Sequence, residues 1–284
     1  MPIYGSILHC LLRDAENRPI PLDDDVQSAM RGAQFVVKLN RNYRMNEALT
    51  KFTKQLYGND YEAADANSTL TLARDDTRAT ADAEHGLSLL ARAVLNSDSS
   101  LALLKLRYPW NCTYEQQISL EARVVSAIAN ELHAKGLFNE IPLTGGKTKK
   151  GCFVITPHHA QRGAICRLLA EGAEPCNVDT VERVQGQEAD VVVACYGFGD
   201  LDHLVAEKDF IFSRPRLNVS LTRAIKKCIV VCTDAVLRPP SSVLADAAVR
   251  DCVTHLRSWQ AACQANGASF MVELELPPPH EAAL

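Results

Sequence analysis

Along the chain, short apolar runs of strand length alternate with stretches whose apolar residues recur every three or four positions. Phe35 to Leu39 reads as a strand, followed by the polar loop "NRNYRMN" and a helix opening near Asn46. Leu49, Phe52 and Leu56 share one face of that helix, and Asn46 is a residue type that caps helix starts. "LALLKLRY" reads as a strand and "SLEARVVSAIANELHAKG" as a helix, with Leu120, Val124, Ile128 and Leu132 as its buried stripe and Gly136 as its C-cap. "CFVIT" is a strand ending at Thr156-Pro157, and a helix follows from about His159 to Glu171. "NVDTV" and "DVVVACYG" are two more strands, the second apolar on both faces as a central parallel strand would be. "PRLNVSLTRAI" suits a short helix and "KCIVVCT" a buried strand. "SVLADAAVRDCVTHLRSWQAAC" then forms a closing helix before the loose tail "ELPPPHEAAL".

Strands alternating with helices predict an α/β fold, one open parallel sheet covered by helices on both faces. Residues 59–86 break this rhythm. They carry seven acidic residues against Arg74 and Arg78 and little apolar periodicity, which predicts an exposed, partly flexible insertion.

The 284-residue length suits one large or two modest domains, and 47% hydrophobic with 23% charged residues is ordinary for a globular chain. A net charge of −4 gives no global attraction to nucleic acid, so any such binding needs a local basic face. The densest candidate runs from Glu207 to Lys227, where Lys208, Arg214, Arg216, Arg223, Lys226 and Lys227 face two acids, with Lys147, Lys149 and Lys150 nearby. Charge runs are usually solvated faces, and charge alone leaves both readings open. No apolar stretch approaches a membrane span, and the first residues make a poor signal peptide. The ten cysteines form no C-x-x-C pair and several lie in apolar segments, as expected of reduced core thiols in a cytoplasmic or nuclear protein.

In open α/β sheets, ligands sit beyond the carboxyl ends of the strands. Four polar clusters adjoin strands and are expected to converge on one edge: Asn42-Tyr43-Arg44, Thr156-Pro157-His158, Thr180 to Glu188, and Asn218 to Arg223. Arg44 and Arg223 are either surface salt-bridge partners or guanidinium clamps for charge building on phosphoryl oxygens, with Glu188 nearby. Thr156 and Thr180 are either turn residues or hydroxyl donors to backbone phosphates of a single strand. His158 and His159 are adjacent in a strand-to-helix turn with no partner at ligand spacing, so no metal site is expected. No G-x-x-x-x-G-K-S/T motif and no acidic D-E-x-x box occurs, so nothing here cradles nucleotide phosphates and magnesium unaided.

Taken together, "LNRNYRMNEAL", "FVITPHHAQ", "VDTVERVQGQEADVVV" and "RLNVSLTRAIKKCIVV" resemble, in order, motif IV, the I-T-P-Y-x-x-Q segment, motif V and motif VI of superfamily 1 helicases. "SLEARVVSAIANEL" is similar to the Glu-Ala helix that precedes the I-T-P strand. The resemblance spans about residues 3–235 and is to the second RecA-like domain, in the branch of the nonsense-mediated-decay and Okazaki-fragment-processing helicases. His158 stands where that family has an aromatic residue, which weakens a base-stacking role there.

The resemblance implies a RecA-like, P-loop-NTPase-type fold that lacks the P-loop itself. It divides the chain into a linking remnant (1–30), the second RecA-like domain (31–240, with 59–100 an exposed insertion) and a C-terminal helix with loose tail (241–284). It implies that Arg223, as arginine finger, and Arg44 reach the terminal phosphate of ATP, with Mg2+, held by a first RecA-like domain in cis. Tyr43, Gly186 and Glu188 would lie at the nucleotide, Gly186 by allowing close backbone approach. Thr156, Thr180 and Asn218 would contact single-stranded RNA or DNA. The expected function is the C-terminal motor domain of an ATP-dependent helicase or translocase, expected to be a piece of a longer protein. The alternative is a non-catalytic single-strand-binding or scaffold module.

Overall fold

The computed structural model describes residues 40–65, 68–72, 83–142 and 148–276, with 83–85 described by backbone alone. The expected strand at 35–39, the linking remnant at 1–30 and the tail from 277 onward lie outside the described residues.

The main sheet has seven strands. They are β3 (Leu101–Arg107), β4 (Glu140–Pro142), β5 (Thr148–Thr156), β6 (Val178–Thr180), β7 (Ala189–Tyr196), β8 (Ala224–Thr233) and β9 (Ser269–Glu273). Their order is β4-β5-β7-β8-β3-β9, and β6 pairs with the second half of β5 on the side that β4 takes along the first half. All pairings are parallel except β4 with β5. A two-stranded parallel pair, β1 (Arg41–Asn42) with β2 (Glu62–Ala63), stands apart. The central strand β7 is buried at every position.

Period-two alternation splits the core. Leu101, Leu103, Phe153, Ile155, Val192 and Val230 face α1 (Glu47–Tyr57), α7 (Arg214–Leu221) and α10 (Ala247–Ala265). Ala102, Leu104, Cys152, Val154, Val193 and Val231 face α2 (Ala83–Asn96), α3 (Tyr114–Ala134) and α4 (His159–Arg167). Burying both faces explains why the strands read as continuous apolar runs. Between β7 and α7 lie α5 (Leu201–Ala206) and α6 (Lys208–Ile211), and between β8 and α10 lie α8 (Asp234–Leu237) and α9 (Ser241–Leu244). This is a mostly parallel α/β sheet with helices on both faces, consistent with a RecA-like fold.

Several elements depart from expectation. The segment 59–100 is not wholly an exposed insertion, because α2 buries Ala91, Val94 and Leu95 against the core. The closing helix is interrupted: Asp246 accepts from Ala248 N and Val249 N, starting α10 afresh after α9. The helix after Thr156 ends at Arg167, not Glu171. The segment expected to hold only a helix and tail adds β9, paired with β3 from Leu103↔Ser269 to Arg107↔Glu273. Gly136 behaves as expected, closing α3 at φ 68°. Leu137 N bonds Leu132 O at 2.8 Å beyond it.

Candidate functional site

Two asparagines build the first part of the site. Asn42 is buried, and its Oδ1 accepts from the backbone N–H of Arg44 and Met45 at 2.9 and 3.2 Å. Its amide donates to Thr50 Oγ1 at 2.8 Å. Asn46 caps α1 and donates from Nδ2 to Ser68 O, Ser100 Oγ and Lys226 O. Between β7 and β8 the register moves from Ala189↔Ala224 to Val191↔Lys227, one extra residue on β8. Such a bulge leaves backbone groups outside the ladder, and Asn46 takes them up: its N–H donates to Ile225 O at 3.0 Å and its amide to Lys226 O. With Asn42 and Asn46 turned inward, Tyr43 and Arg44 turn outward.

Arg44 consequently meets two other segments. Its Nε donates to Glu188 Oε2 at 2.8 Å and its Nη1 to Thr222 O at 3.0 Å. Arg223 donates from Nε to Val219 O at 3.0 Å and from Nη1 to Gln187 O at 3.2 Å. It therefore sits on the carbonyl end of α7, where a cation suits the helix dipole. Burial, then the neighbouring Arg44, push the Arg223 guanidinium below its usual pKa. Only Arg44 pairs with Glu188, while Arg223 is held by carbonyls and merely feels that carboxylate's charge, so two guanidiniums beside one acid leave the junction locally electropositive. It lies where β7 and β8 begin, at the amino edge of the sheet.

Gly186 has φ 85°, a conformation L side chains rarely adopt, and a Cβ there would meet nothing within 4 Å. The glycine is thus required by backbone conformation; among the described residues no close approach to it demands a glycine. Tyr43 is 80% exposed, with the Arg41 guanidinium 5.9 Å from its ring centre.

The other expected residues lie elsewhere. Thr156 and Thr180 are register partners at the carboxyl ends of β5 and β6, the opposite edge from the arginine junction. The four clusters therefore do not converge on one edge. Thr156 is fully buried, its hydroxyl 3.4 Å from His158 O, and Thr180 is nearly so. Asn218 lies within α7 and donates from Nδ2 to Tyr57 OH at 2.9 Å, tying α7 to α1. His158 stacks on Phe210 at 5.1 Å between ring centres. Burial lowers the His158 pKa, with Glu207 opposing and His203 and His159 adding to the shift.

Residues 24–235 match the AAA domain family. The chain belongs to that family. It is the helicase-type AAA domain, the C-terminal domain of superfamily 1 helicases. A 112-residue stretch is 31% identical to DNA polymerase alpha-associated DNA helicase A of Schizosaccharomyces pombe. That match covers 39% of this chain and 15% of the relative's length.

In this helicase-family domain the candidate basic run from Glu207 to Lys227 is broken up by ion pairs and burial. Arg216 pairs with Glu182 at 2.9 Å, Lys208 with Asp246 at 3.8 Å, and Lys226 shares Asp190 with Lys149. Lys150 pairs with Glu140 and Glu174. Lys227 is buried, donating from Nζ to Ser97 O, Ser97 Oγ and Ser99 O at 2.7–2.8 Å, and burial pushes its pKa down to about 8. Lys147 lies outside the described residues. Sequence reasoning named Asn46 as a cap and placed Asn42 and Thr222 in polar clusters, but not the inward hydrogen bonds by which they position Arg44. The available signal was the alternation in "NYRMN", where polar residues that face inward flank those that face outward.

Proposed function

We propose that this helicase-family domain is the C-terminal motor domain of an ATP-dependent helicase or translocase, acting with a P-loop domain on single-stranded RNA or DNA. The observation that carries this reading is the junction of Arg44, Glu188 and Arg223. Three segments far apart in sequence place Arg44, paired with Glu188, beside Arg223, held by carbonyls, and the excess positive charge suits a phosphoryl anion. The same donor set does not suit Mg2+, since Glu188 is committed to Arg44. On this reading ATP and Mg2+ are held chiefly by the P-loop domain, where the metal neutralises phosphate charge.

Arg223 acts as the finger, exchanging its hold on Val219 O and Gln187 O for phosphoryl oxygens, while Glu188 keeps Arg44 oriented. Tyr43, exposed beside Arg44, offers a ring face to the base or ribose. Gly186 leaves room for a ligand to approach the backbone of its turn. Thr156 and Thr180, buried in the isolated chain, contact a strand through the backbone of the segments they open. Asn218 joins them only after leaving Tyr57. The nine described cysteines are free thiols, which suits a reducing nuclear or cytoplasmic setting. Among the described residues no helix is long and apolar enough to cross a membrane.

The test is single-strand-stimulated ATP hydrolysis by a protein joining this chain to a P-loop domain. Arg223→Ala should lower the rate by on the order of 10³ or more. Arg223→Lys should fail to restore it, because an ammonium lacks the planar fork. Full activity in Arg223→Ala would reject the finger assignment.

A further inference from the structure

Along the chain His158 has no partner at ligand spacing, but the fold supplies two. His203 on α5 and Glu207 at its end lie one helical turn apart, and α5 packs across the turn that carries His158. Among the described residues, one nitrogen from each histidine and a carboxylate oxygen of Glu207 lie within 4.8 Å of one another. His158 Nε2 is 3.0 Å from Glu207 Oε2, and His203 Nε2 is 3.8 Å from Glu207 Oε1. Both Nε2 atoms are buried and neither is aligned for a hydrogen bond. A simple His–Glu ion pair would align one N–H on the carboxylate and turn the second imidazole away. Here both nitrogens stay close to the one carboxylate.

The rings are also held in place. His158 lies edge-on to Phe198 at 5.6 Å and stacks on Phe210. His203 stacks on Phe198 at 5.9 Å and lies 4.0 Å from the Tyr114 ring centre. Donors at ~2.0–2.1 Å around a tetrahedral metal stand about 3.4 Å apart. The observed spacing closes to that with side-chain shifts of roughly an ångström.

We propose that His158, His203 and Glu207 form a zinc site that pins the start of α4 to α5. Two imidazole nitrogens and one carboxylate suit a borderline cation such as Zn2+, whereas Mg2+ and Ca2+ take oxygen donors. Three protein ligands leave a fourth position for water. The site is independent of the arginine junction, at the opposite edge of the sheet, and requires no nucleotide.

The experiment uses the full chain, stripped with a chelator and titrated with Zn2+ alone. One equivalent should bind and raise the thermal midpoint by roughly 5 °C at saturation. Co2+ in place of zinc should give the visible absorption of a low-symmetry, four-coordinate site. His203→Ala and Glu207→Gln should each weaken zinc binding by at least the roughly 100-fold that losing even an outer partner can cost. Circular dichroism of the metal-free variants reports whether they fold. His159→Ala, one residue outside the cluster, should bind as the unaltered chain does. Absence of any zinc-dependent shift in the unaltered, folded chain would overturn the proposal. So would equal affinity in all the variants, which would place the metal on a surface thiol such as Cys176.

Discussion

Gln161 donates its side-chain amide to Glu121 across 2.6 Å, and both residues are buried. The second carboxylate oxygen accepts from Gly197 N at 2.9 Å, so α3, α4 and the segment leaving β7 meet at one acid. Both partners are neutral. Burial therefore raises the Glu121 pKa to about 7, against the lowering effect of the two hydrogen bonds. Gln161 Oε1 is buried and has no hydrogen-bond partner among the described residues. A protonated Glu121 can supply it once the Gln161 amide turns over.

A pH dependence follows from that shift. The unfolded carboxyl releases its proton near 4.5 and the folded one near 7. The folded state thus binds the extra proton between these values, and stability from this group is full below 4.5 and lost as pH rises through 7. The size is on the order of 3 kcal/mol. Glu121→Gln keeps an acceptor for Gly197 and offers Gln161 Oε1 a donor at every pH. In urea melts, the variant's stability relative to the unaltered chain should improve by about that amount from pH 4.5 to above 7. A difference that stays constant across this range would show that Glu121 is not the titrating group.

Gly197→Ala should be destabilising by about 2 kcal/mol through overpacking. A Cβ at that position would overlap the Glu121 carboxylate and lie 2.9 Å from Tyr108 OH, which itself donates to Gly197 O at 2.7 Å. Much of the cost should vanish in a Glu121→Ala background, where the two nearest obstructing atoms are gone and only the Tyr108 hydroxyl remains close. A double-mutant cycle by chemical denaturation measures this coupling. Additive costs would mean that the clash is not with Glu121.

The parallel sheet was legible in the sequence because each strand buried on both faces is a run such as "DVVVACY", and each long helix carries an apolar stripe. β9 was not. Its five residues are only half-buried at a sheet edge, so "SFMVE" has neither a continuous run nor strong alternation. Helix α2 was hidden by the acidic segment before it, whose charges dominate the surrounding composition. At the site, Arg44, Glu188 and Arg223 could be named from motif order, and the structure brings them together. The opposite-edge positions of Thr156 and Thr180 follow from the same reading, since in a parallel sheet residues that end β5 and β6 lie opposite Glu188 and Arg223, which precede β7 and β8. The pairing of His158 with His203 and Glu207 was not legible, being a tertiary contact with no local pattern.

Asp190 joins three strands at the amino edge. Its carboxylate, 2% exposed, lies 2.7 Å from Lys149 Nζ on β5 and 3.1 Å from Lys226 Nζ on β8. Asp190→Ala should cost about 3 kcal/mol, since it leaves two cations facing each other without their common anion. Lys149→Ala and Lys226→Ala should each cost less than half as much, because the other lysine still neutralises the buried carboxylate. Guanidinium melts of the three variants check the order. Equal costs throughout would show that the carboxylate depends on both lysines at once.

Asn46 connects stability to the arginine junction. Its Oδ1 accepts from Leu49 N at 3.1 Å, while its amide nitrogen faces three oxygens, those of Ser68, Ser100 and Lys226. Asn46→Ala removes the cap and leaves those acceptors unpaired, at a cost of about 2 kcal/mol. Asn46→Asp keeps the capping oxygen but turns a second, charged oxygen towards the same three, so in spite of its similar shape it should cost at least as much. Either change also frees the Lys226 carbonyl at the β8 bulge and leaves the backbone bond to Ile225 O as the tie that remains just after Arg44. Hydrogen exchange should then rise for the backbone of 42–46 and 222–226 relative to the core strands. If Asn46→Asp is as stable as the unaltered chain, the amide is not acting as the donor and its part in orienting Arg44 fails with it.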